Sequence, residues 1–226
     1  MVIIDPPYGV DFYTNHRKIE NENIGSILND NNEIFESLKT LMLEFHRVLK
    51  ENTALYCFCR WDVYPKFKEL IEPTFQIKNL LIWKKNNWSM GDLDGAYASQ
   101  YECIIFATKG RHILNNGRGT DILEFDRIGS NNLLHSHQKP EPLIKYIINK
   151  SSKIGDTVLD CFLGSGTTLY ACQNTGRSCI GVEMDQRYID IINKRCLNRN
   201  LLGYDVDYVF IDCDTTIHTK PKGWFR

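Results

Sequence analysis

The fold is decided by residues 157–183, which read TVLDCFLGSGTTLYACQNTGRSCIGVE. Residues 157–161 are mostly apolar and predict a short buried strand, and the glycines after them predict a tight turn into a helix at about 167–174. Gly176 ends that helix, and residues 178–183 predict a second strand. A strand, a glycine turn, a helix and a second strand predict one unit of a parallel, doubly wound α/β sheet.

The glycine turn at 164–166 predicts a binding site for a cofactor that contains adenosine. Glycines let the backbone approach a ligand closely, and the start of the next helix presents free N–H groups. An acidic residue at the end of the second strand, here Glu183, can accept hydrogen bonds from ribose hydroxyls. Alone, Glu183 can equally be an acid that stabilises a helix start. The turn lacks the Gly-Lys-Ser/Thr sequence of nucleoside-triphosphate P-loops.

Strands alternate with helices through most of the remaining chain, which extends the same architecture over residues 1–226 as a single domain. The polar stretches 13–32, 84–100 and 109–134 are predicted to be loops. Further strands are predicted at about 1–4, 54–59, 75–83, 101–108 and 207–211, and further helices at about 33–49, 62–71, 140–149 and 185–198.

A second motif, Asp5-Pro6-Pro7-Tyr8-Gly9, directly follows the first predicted strand. Prolines do not continue a strand ladder, so their carbonyls are free to point into a cavity. The Asp5 carboxylate and one prolyl carbonyl can together accept both hydrogens of an exocyclic amino group. Tyr8 offers a flat face on which a base taken out of its helix can stack. In isolation, the same residues can simply form a strand-ending turn.

Three stretches of the chain resemble the signatures of DNA amino-methyltransferases. They are Asp-Pro-Pro-Tyr at 5–8, Phe-Leu-Gly-Ser-Gly-Thr-Thr at 162–168, and His-Gln-Lys-Pro-Glu-Pro-Leu at 137–143, which is similar to the element that flanks the methionine end of the cofactor in that family. Because the catalytic tetrapeptide precedes the cofactor turn, the order resembles the circularly permuted β-class. The resemblance implies a Rossmann-like fold that binds S-adenosylmethionine.

The resemblance also implies roles for individual residues. Asp5, Pro6, Pro7 and Tyr8 would form the catalytic pocket for a flipped-out base. Glu183 would bind the cofactor ribose, and Lys139 would lie near the cofactor carboxylate. The cofactor turn itself would be formed by Asp160, Phe162, Gly164, Ser165, Gly166 and Thr167.

The implied activity is site-specific transfer of a methyl group from S-adenosylmethionine to N6 of adenine in DNA. In this family an Asp at the first catalytic position usually accompanies adenine N6 transfer, whereas a Ser accompanies cytosine N4 transfer. Cytosine N4 transfer, adenine N6 transfer in RNA, and a non-catalytic nucleic-acid-binding module remain open alternatives. The reaction requires neither a metal nor a cysteine nucleophile. A homodimer and a companion restriction endonuclease also remain open.

The chain begins four residues before Asp5, whereas members of this family usually carry an earlier segment that helps to enclose the cofactor adenine. We expect the predicted strand from Tyr208 to Ile211 to occupy that place, so that Asp212 contacts the cofactor. The other interpretation is a truncated and weak enzyme.

Contacts to nucleic acid are predicted from loop residues near the motifs. The region at about 109–134 lies where the β-class places its target-recognition insertion, although its mixed charge is also typical of a solvated loop. Phe12 and Tyr13 are candidates for the base pocket. The candidate phosphate contacts are Lys84, Lys85, Lys109, Arg111, Arg118 and Arg127.

The composition narrows the class of protein. The net charge of −1 excludes a global basic field, so a DNA-binding surface must be a local patch. The 8 cysteines include no CxxC pair, and we expect a reduced protein in the cytoplasm. No apolar run approaches the roughly 20 residues that span a bilayer. Neither Cys57 with Cys59 nor His135 with His137 has the further ligands that a zinc site needs.

Overall fold

Fourteen helices and strands form in the part of the chain that the computed structural model describes. That part comprises residues 1–9, 33–89, 93–129 and 138–201 with 210–211 and 217–218, and side chains are described as far as 197. In chain order the elements are β1 Val2–Ile4, α1 Ile34–Val48, β2 Thr53–Cys59, α2 Tyr64–Ile71, β3 Gln76–Lys84, β4 Tyr101–Lys109, β5 Ile122–Glu124, α3 Glu141–Ser151, β6 Thr157–Asp160, α4 Thr167–Asn174, β7 Ser178–Gly181, α5 Gln186–Leu201, β8 Phe210–Ile211 and β9 Ile217–His218.

Seven of these strands form one sheet in the order β5-β3-β4-β2-β1-β6-β7. The pairs β1–β2, β1–β6, β6–β7 and β3–β5 are parallel, whereas β4 runs antiparallel to both β2 and β3. The predicted α/β class with a mostly parallel sheet is therefore confirmed.

The first strand of the chain lies in the middle of the sheet, between β2 and β6. Its three residues are almost completely buried, as expected for a strand that is covered on both faces. Val2 and Ile4 pack towards the core that holds helices α1 and α2, and Ile3 packs towards the core that holds helix α3. This position fixes where the Asp5 motif leaves the sheet.

All functional motifs that the structure describes leave the sheet at one edge, which we call the carboxyl edge. Because β1, β2, β6 and β7 are parallel, their carboxyl ends lie together there. The antiparallel strand β4 begins at this edge, since Cys103 pairs with Cys59, and β3 ends at it, since Lys84 pairs with Tyr101. Ligands of open α/β sheets bind outside this edge.

Two features differ from the sequence-based prediction. Strand β5 lies within the segment predicted to be a loop, because three residues are too few to show a periodic pattern; buried Leu123 anchors it beside β3. The strand predicted at 207–211 is observed as β8, which pairs with β9 in a separate two-stranded sheet and not with the seven-stranded sheet. Asp212 lies outside the described residues.

No helix in the described ranges is both long enough and apolar enough to cross a membrane.

Candidate functional site

The Asp5 motif and the glycine turn meet at the centre of the carboxyl edge. Strands β1 and β6 are adjacent and parallel, so Asp5 directly follows one strand and Asp160 ends its neighbour. Lys139 joins this edge, because its ammonium pairs with the Asp5 carboxylate. A cavity of about 620 Å³ is lined by Gln138, Pro140 and Thr167, but neither Asp5 nor Asp160 lines it. The three stretches singled out in the sequence therefore lie at the same edge of the sheet, although about 150 residues separate the first from the last.

The Asp5 carboxylate is held by two donors. The Tyr8 hydroxyl donates a hydrogen bond of 2.7 Å to Oδ1 of Asp5, and the Lys139 ammonium forms an ion pair and hydrogen bond with Oδ2. Burial and the nearby Asp5 charge raise the pKa of Tyr8 well above its usual value, so the phenol stays protonated and remains a donor. The side chain of Asp5 is 25% exposed and is thus fixed in orientation while still open to a ligand.

Lys139 belongs to a network of alternating charges that starts at Asp5 and continues through Glu102 to Lys85. Its Nζ lies 3.3 Å from Oε2 of Glu102, and Nζ of Lys85 lies 2.6 Å from Oε1 of the same carboxylate. Burial alone would raise the pKa of Glu102, but Lys139 and Lys85 outweigh burial and lower that pKa to about 2. Burial alone would lower the pKa of Lys139, but Asp5 and Glu102 outweigh it and raise that pKa. Glu102 and Lys139 therefore stabilise each other as an ion pair.

Lys139 was expected to lie near the cofactor carboxylate. In the structure its ammonium pairs with the carboxylates of Asp5 and Glu102. A place beside the cofactor carboxylate stays a prediction. The role of Glu102 was not predicted, and its one signal in the sequence is a charged residue within the apolar strand 101–107.

The glycine turn has the backbone conformation that only glycine adopts without strain. Gly164 has φ 54° and Gly166 has φ 84°, and both values lie in the left-handed region. A Cβ atom on Gly166 would also come within 3.1 Å of Ile192 and 3.2 Å of Tyr170. Gly166 directly precedes α4, so the turn delivers the N-terminus of that helix to the carboxyl edge.

Glu183 is tied to the same turn. Its carboxylate accepts hydrogen bonds from the backbone N–H groups of Gly164 at 2.7 Å, Met184 at 2.9 Å and Asp185 at 2.8 Å. Burial raises the pKa of Glu183, and these N–H groups counteract part of that rise. A carboxylate has about four acceptor positions, so Glu183 keeps capacity for a hydroxyl donor.

Ser165 supplies a buried polar group that has no partner among the described residues. Its residue is 1% exposed, and its hydroxyl makes no hydrogen bond there. Its carbonyl accepts a hydrogen bond of 2.6 Å from Arg195, whose guanidinium lies 3.9 Å from the centre of the Tyr170 ring. A glycine cradle, an acceptor at a strand end and an orphaned hydroxyl fit the predicted adenosine-containing cofactor.

Asp160 is a second carboxyl group beneath the turn. Burial raises its pKa to about 7, although hydrogen bonds from the Thr168 side chain and from the Phe162 N–H, at 2.9 Å, act in the opposite direction. Asp160 holds the first residues of the turn in place.

Three of the six candidate phosphate contacts lie at the carboxyl edge. Lys84 is half exposed and pairs with Glu124 at 2.9 Å, and Arg127 is exposed near Asn86, which accepts a 3.1 Å hydrogen bond from its N–H. Lys85 also lies there, but its ammonium is bound to Glu102, so it is occupied within the site.

The other three candidate phosphate contacts lie away from the carboxyl edge. Lys109 ends β4 at the opposite edge, where its ammonium binds the carbonyls of His46 and Leu49 at the end of α1. The backbone N–H of Arg111, two residues after Lys109, binds the Asn52 side chain. Arg118 lines a separate cavity, together with residues of β2, β3 and β4. Much of the segment 109–129 is therefore the return of the chain from β4 to β5. Phe12, Tyr13 and residues 130–137 lie outside the described residues.

Exposed aromatic side chains, which the sequence analysis did not single out, lie at the carboxyl edge. Trp61 follows the end of β2, and Tyr101 begins β4. Trp88 and Tyr97 lie in the connection between β3 and β4. A hydrogen bond of 2.8 Å from the Ser89 N–H to the Ser99 carbonyl closes that connection. They are between 38% and 105% exposed. We call these four residues the aromatic rim; aromatic residues in polar loops just beyond strand ends were the available signal.

The chain is similar to known proteins. A family model described as "DNA methylase" of the N6/N4 type matches residues 1–194. The Type II methyltransferase M.HpaI of Haemophilus parainfluenzae is 28% identical over 232 aligned positions, which cover 91% of this chain and 70% of that protein.

Two solved structures share the fold. The M1.HpyAVI–SAM complex has 24% identity and a TM-score of 0.63, with 86% of each chain covered. The PvuII DNA methyltransferase, which is cytosine-N4-specific, has 15% identity and a TM-score of 0.68, with 86% of this chain and 78% of that chain covered.

The titration of Asp160 predicts a pH dependence of stability. The folded protein keeps this proton up to about pH 7, whereas an unfolded chain loses it near 3.8, so the folded state binds more protons between these values. The free energy of unfolding therefore falls as the pH rises. In urea denaturation, the free energy of unfolding of the wild-type protein should fall between about pH 5 and about pH 7.5. We expect Asp160→Asn to make that fall smaller by about 2 kcal/mol. As a control, Asp121→Asn changes an exposed carboxyl group and should leave the dependence of the unfolding free energy on pH as in the wild type. The same dependence in the wild type, Asp160→Asn and Asp121→Asn would contradict a raised pKa of Asp160.

Proposed function

The chain belongs to the N6/N4 DNA methylase family, and on that premise we propose that it methylates N6 of adenine at specific sites in DNA. The observation that carries this proposal is the Asp5 carboxylate, held by Tyr8 and Lys139 at the strand end next to the glycine turn. An Asp at this position favours the adenine amino group, by the resemblance described for the motif.

S-adenosylmethionine is the cofactor, and when bound it supplies an electrophilic methyl group on a sulfonium sulfur. Glu183 would accept a hydrogen bond from a ribose hydroxyl, and the turn from Phe162 to Gly166 with the start of α4 would form the cradle around the rest of the cofactor. The orphaned hydroxyl of Ser165 and the left-handed glycines support this assignment. Asp212 is also proposed to contact the cofactor.

The chemistry of the chain is mainly orientation. Tyr8 and Lys139 occupy one position on each oxygen of Asp5, which leaves further acceptor positions for an amino hydrogen. A carbonyl of the Pro6-Pro7 pair accepts the second hydrogen, so that the nitrogen lone pair faces the methyl group. Asp5 is also placed to receive the proton that the nitrogen must lose. Such positioning and fixed charge account for catalysis without a covalent enzyme intermediate.

The aromatic rim supports a nucleic-acid base as the substrate. Amino groups inside a duplex are out of reach, so the base must leave its stack, and aromatic side chains stabilise unpaired bases by stacking. Lys84, which pairs with Tyr101 in the sheet, and Arg127, which binds Asn86, lie at the same edge as the rim and are the candidates for contacts to the adjoining phosphates. We propose that the rim and these two residues, within a single domain over residues 1–226, form the DNA-binding surface.

Cytosine N4 is the alternative acceptor, because the family includes both reactions and one similar structure is a cytosine-N4-specific enzyme. Mass analysis of nucleosides from DNA and from RNA, each incubated with the protein and S-adenosylmethionine, separates these possibilities. We expect N6-methyladenine; N4-methylcytosine alone would overturn the choice of base, and methylation of RNA alone would overturn the choice of polymer. Sequencing of the methylated DNA then gives the recognition sequence.

Removal of the Asp5 carboxylate tests the mechanism. We expect Asp5→Ala to abolish methyl transfer in a tritium-transfer assay, because the amino group loses its acceptor, while calorimetric affinity for S-adenosylhomocysteine is retained. Asp190→Ala, which removes an exposed carboxylate on α5, serves as the control and should stay fully active. Transfer by Asp5→Ala at the wild-type rate would rule out this role for Asp5.

Truncation of the rim tests the DNA surface. Trp61→Ala and Trp88→Ala should each weaken binding to a labelled duplex that carries the recognition sequence by about 1–3 kcal/mol, the usual contribution of one stacked base. Ile154→Ala is the control, since Ile154 is 80% exposed and lies at the opposite edge of the sheet. Fluorescence anisotropy measures the affinities, and equal affinities for all variants would exclude the rim from the interface.

A further inference from the structure

Glu102 is an acidic residue beside the proposed site for which the proposed mechanism has no role. It is the second residue of β4, the antiparallel strand that begins at the carboxyl edge. Its side chain is 21% exposed, yet Oε2 is shielded from solvent and makes no well-directed hydrogen bond among the described residues. A carboxylate in such a place needs compensating charge, because burial disfavours its ionised form.

Two ammonium groups supply that compensation from opposite sides. Lys85 lies 2.6 Å from Oε1 and Lys139 lies 3.3 Å from Oε2. Lys139 then reaches Asp5, so the order of groups is Lys85, Glu102, Lys139, Asp5. Two positive and two negative charges alternate, and the network is neutral as a whole.

Lys139 has its position defined by the groups around it. Its ammonium sits between the carboxylates of Asp5 and Glu102 and lies 5.1 Å from the centre of the Phe58 ring. The residue is only 8% exposed, so water does not provide the remaining interactions. Without Glu102, the ammonium would have one carboxylate partner and would be free to shift relative to Asp5.

The charge of Lys139 also matters for the reaction. In methyl transfer the amino nitrogen donates its lone pair to the methyl carbon, the carbon–sulfur bond breaks with its electrons on sulfur, and the nitrogen carries positive charge until it gives a proton to Asp5. An uncompensated ammonium next to Asp5 opposes that charge. The Glu102 carboxylate lies 3.3 Å from this ammonium and offsets part of its charge.

We propose that Glu102 is a positioning residue for methyl transfer, which acts by holding Lys139 against Asp5 and by balancing its charge. This inference rests on the proposed function, since it concerns the orientation of the same carboxylate. Glu102 itself touches neither the base nor the cofactor in this role.

Glu102→Gln tests the proposal with little change of shape. The amide oxygen still accepts from Lys85, while Lys139 loses a charged partner. We expect kcat to fall roughly 10- to 100-fold, the scale on which a displaced catalytic group acts. The KM for DNA and the affinity for S-adenosylhomocysteine should stay within about 2-fold, since both are set elsewhere, whereas kcat depends on Asp5. Glu102→Asp, which keeps the charge, should recover part of the lost rate.

A matched control lies away from the site. Glu44 on α1 pairs with Arg47 at 2.6 Å but is 52% exposed, and Glu44→Gln should leave kcat unchanged. An equal loss in both variants, or a Glu102→Gln protein with wild-type kcat, overturns the proposal. A Glu102→Gln protein that loses cofactor affinity and kcat together shows a merely structural role and also overturns it.

A double variant shows whether Glu102 acts through Lys139. In a Lys139→Met background, Glu102→Gln should cause no further loss of kcat, because the group that it positions is absent. A full additional loss overturns the proposal.

A measurement that does not depend on activity separates this inference from the proposed function. In NMR spectra of protein with labelled lysine side chains, Glu102→Gln should move the titration of Lys139 to lower pH, because one of its two carboxylate partners is removed. An unmoved titration overturns the inference. A wild-type protein that methylates neither adenine nor cytosine, in which Glu102→Gln nevertheless shifts Lys139, refutes both proposals, since there is then no methyl transfer for Glu102 to assist.

Discussion

The ion pair between Asp5 and Lys139 is the interaction on which the rest of the site depends. It joins two residues that are 134 positions apart and fixes the carboxylate that the proposed chemistry uses. A largely buried ion pair is stable only when its remaining hydrogen-bonding groups are satisfied. The Tyr8 hydroxyl satisfies one side of this pair and Glu102 with Lys85 the other. The site is thus a neutral network with Asp5 as its open end.

The sheet makes that contact geometrically possible. Strand β1 is central and parallel to its neighbours, so the Asp5 motif and the glycine turn emerge side by side from strand ends. The reversed direction of β4 brings the start of that strand, with Glu102, to the same edge, whereas a parallel strand would have placed it at the other edge. The one antiparallel strand of the central sheet therefore contributes a charge to the site that no parallel strand in its position could contribute.

The electrostatics of the carboxyl edge constrain how it can meet DNA. Asp5, Glu102, Asp160 and Glu183 all lie there, and the chain as a whole carries a charge of −1. Phosphates would be repelled by such a surface if these acids were free. Lys139 and Lys85 offset the charges of Asp5 and Glu102, backbone N–H groups bind Glu183, and burial raises the pKa of Asp160 to about 7. The proposed stacking of bases on exposed aromatic residues suits this arrangement, because stacking does not require a strong positive field.

The sequence by itself determined the class of fold, most of the helices and strands, and the three motifs, because apolar periodicity, glycine turns and prolines act over a few neighbouring residues. It indicated Asp5, the glycine turn and Glu183 for the same reason. Only the tertiary structure decided that Lys139 pairs with Asp5, that Glu102 and Lys85 join the network, and that Lys109 and Arg111 lie at the far edge. Strand direction and strand order make those contacts, and a charged residue carries no local signal of which distant partner it will meet.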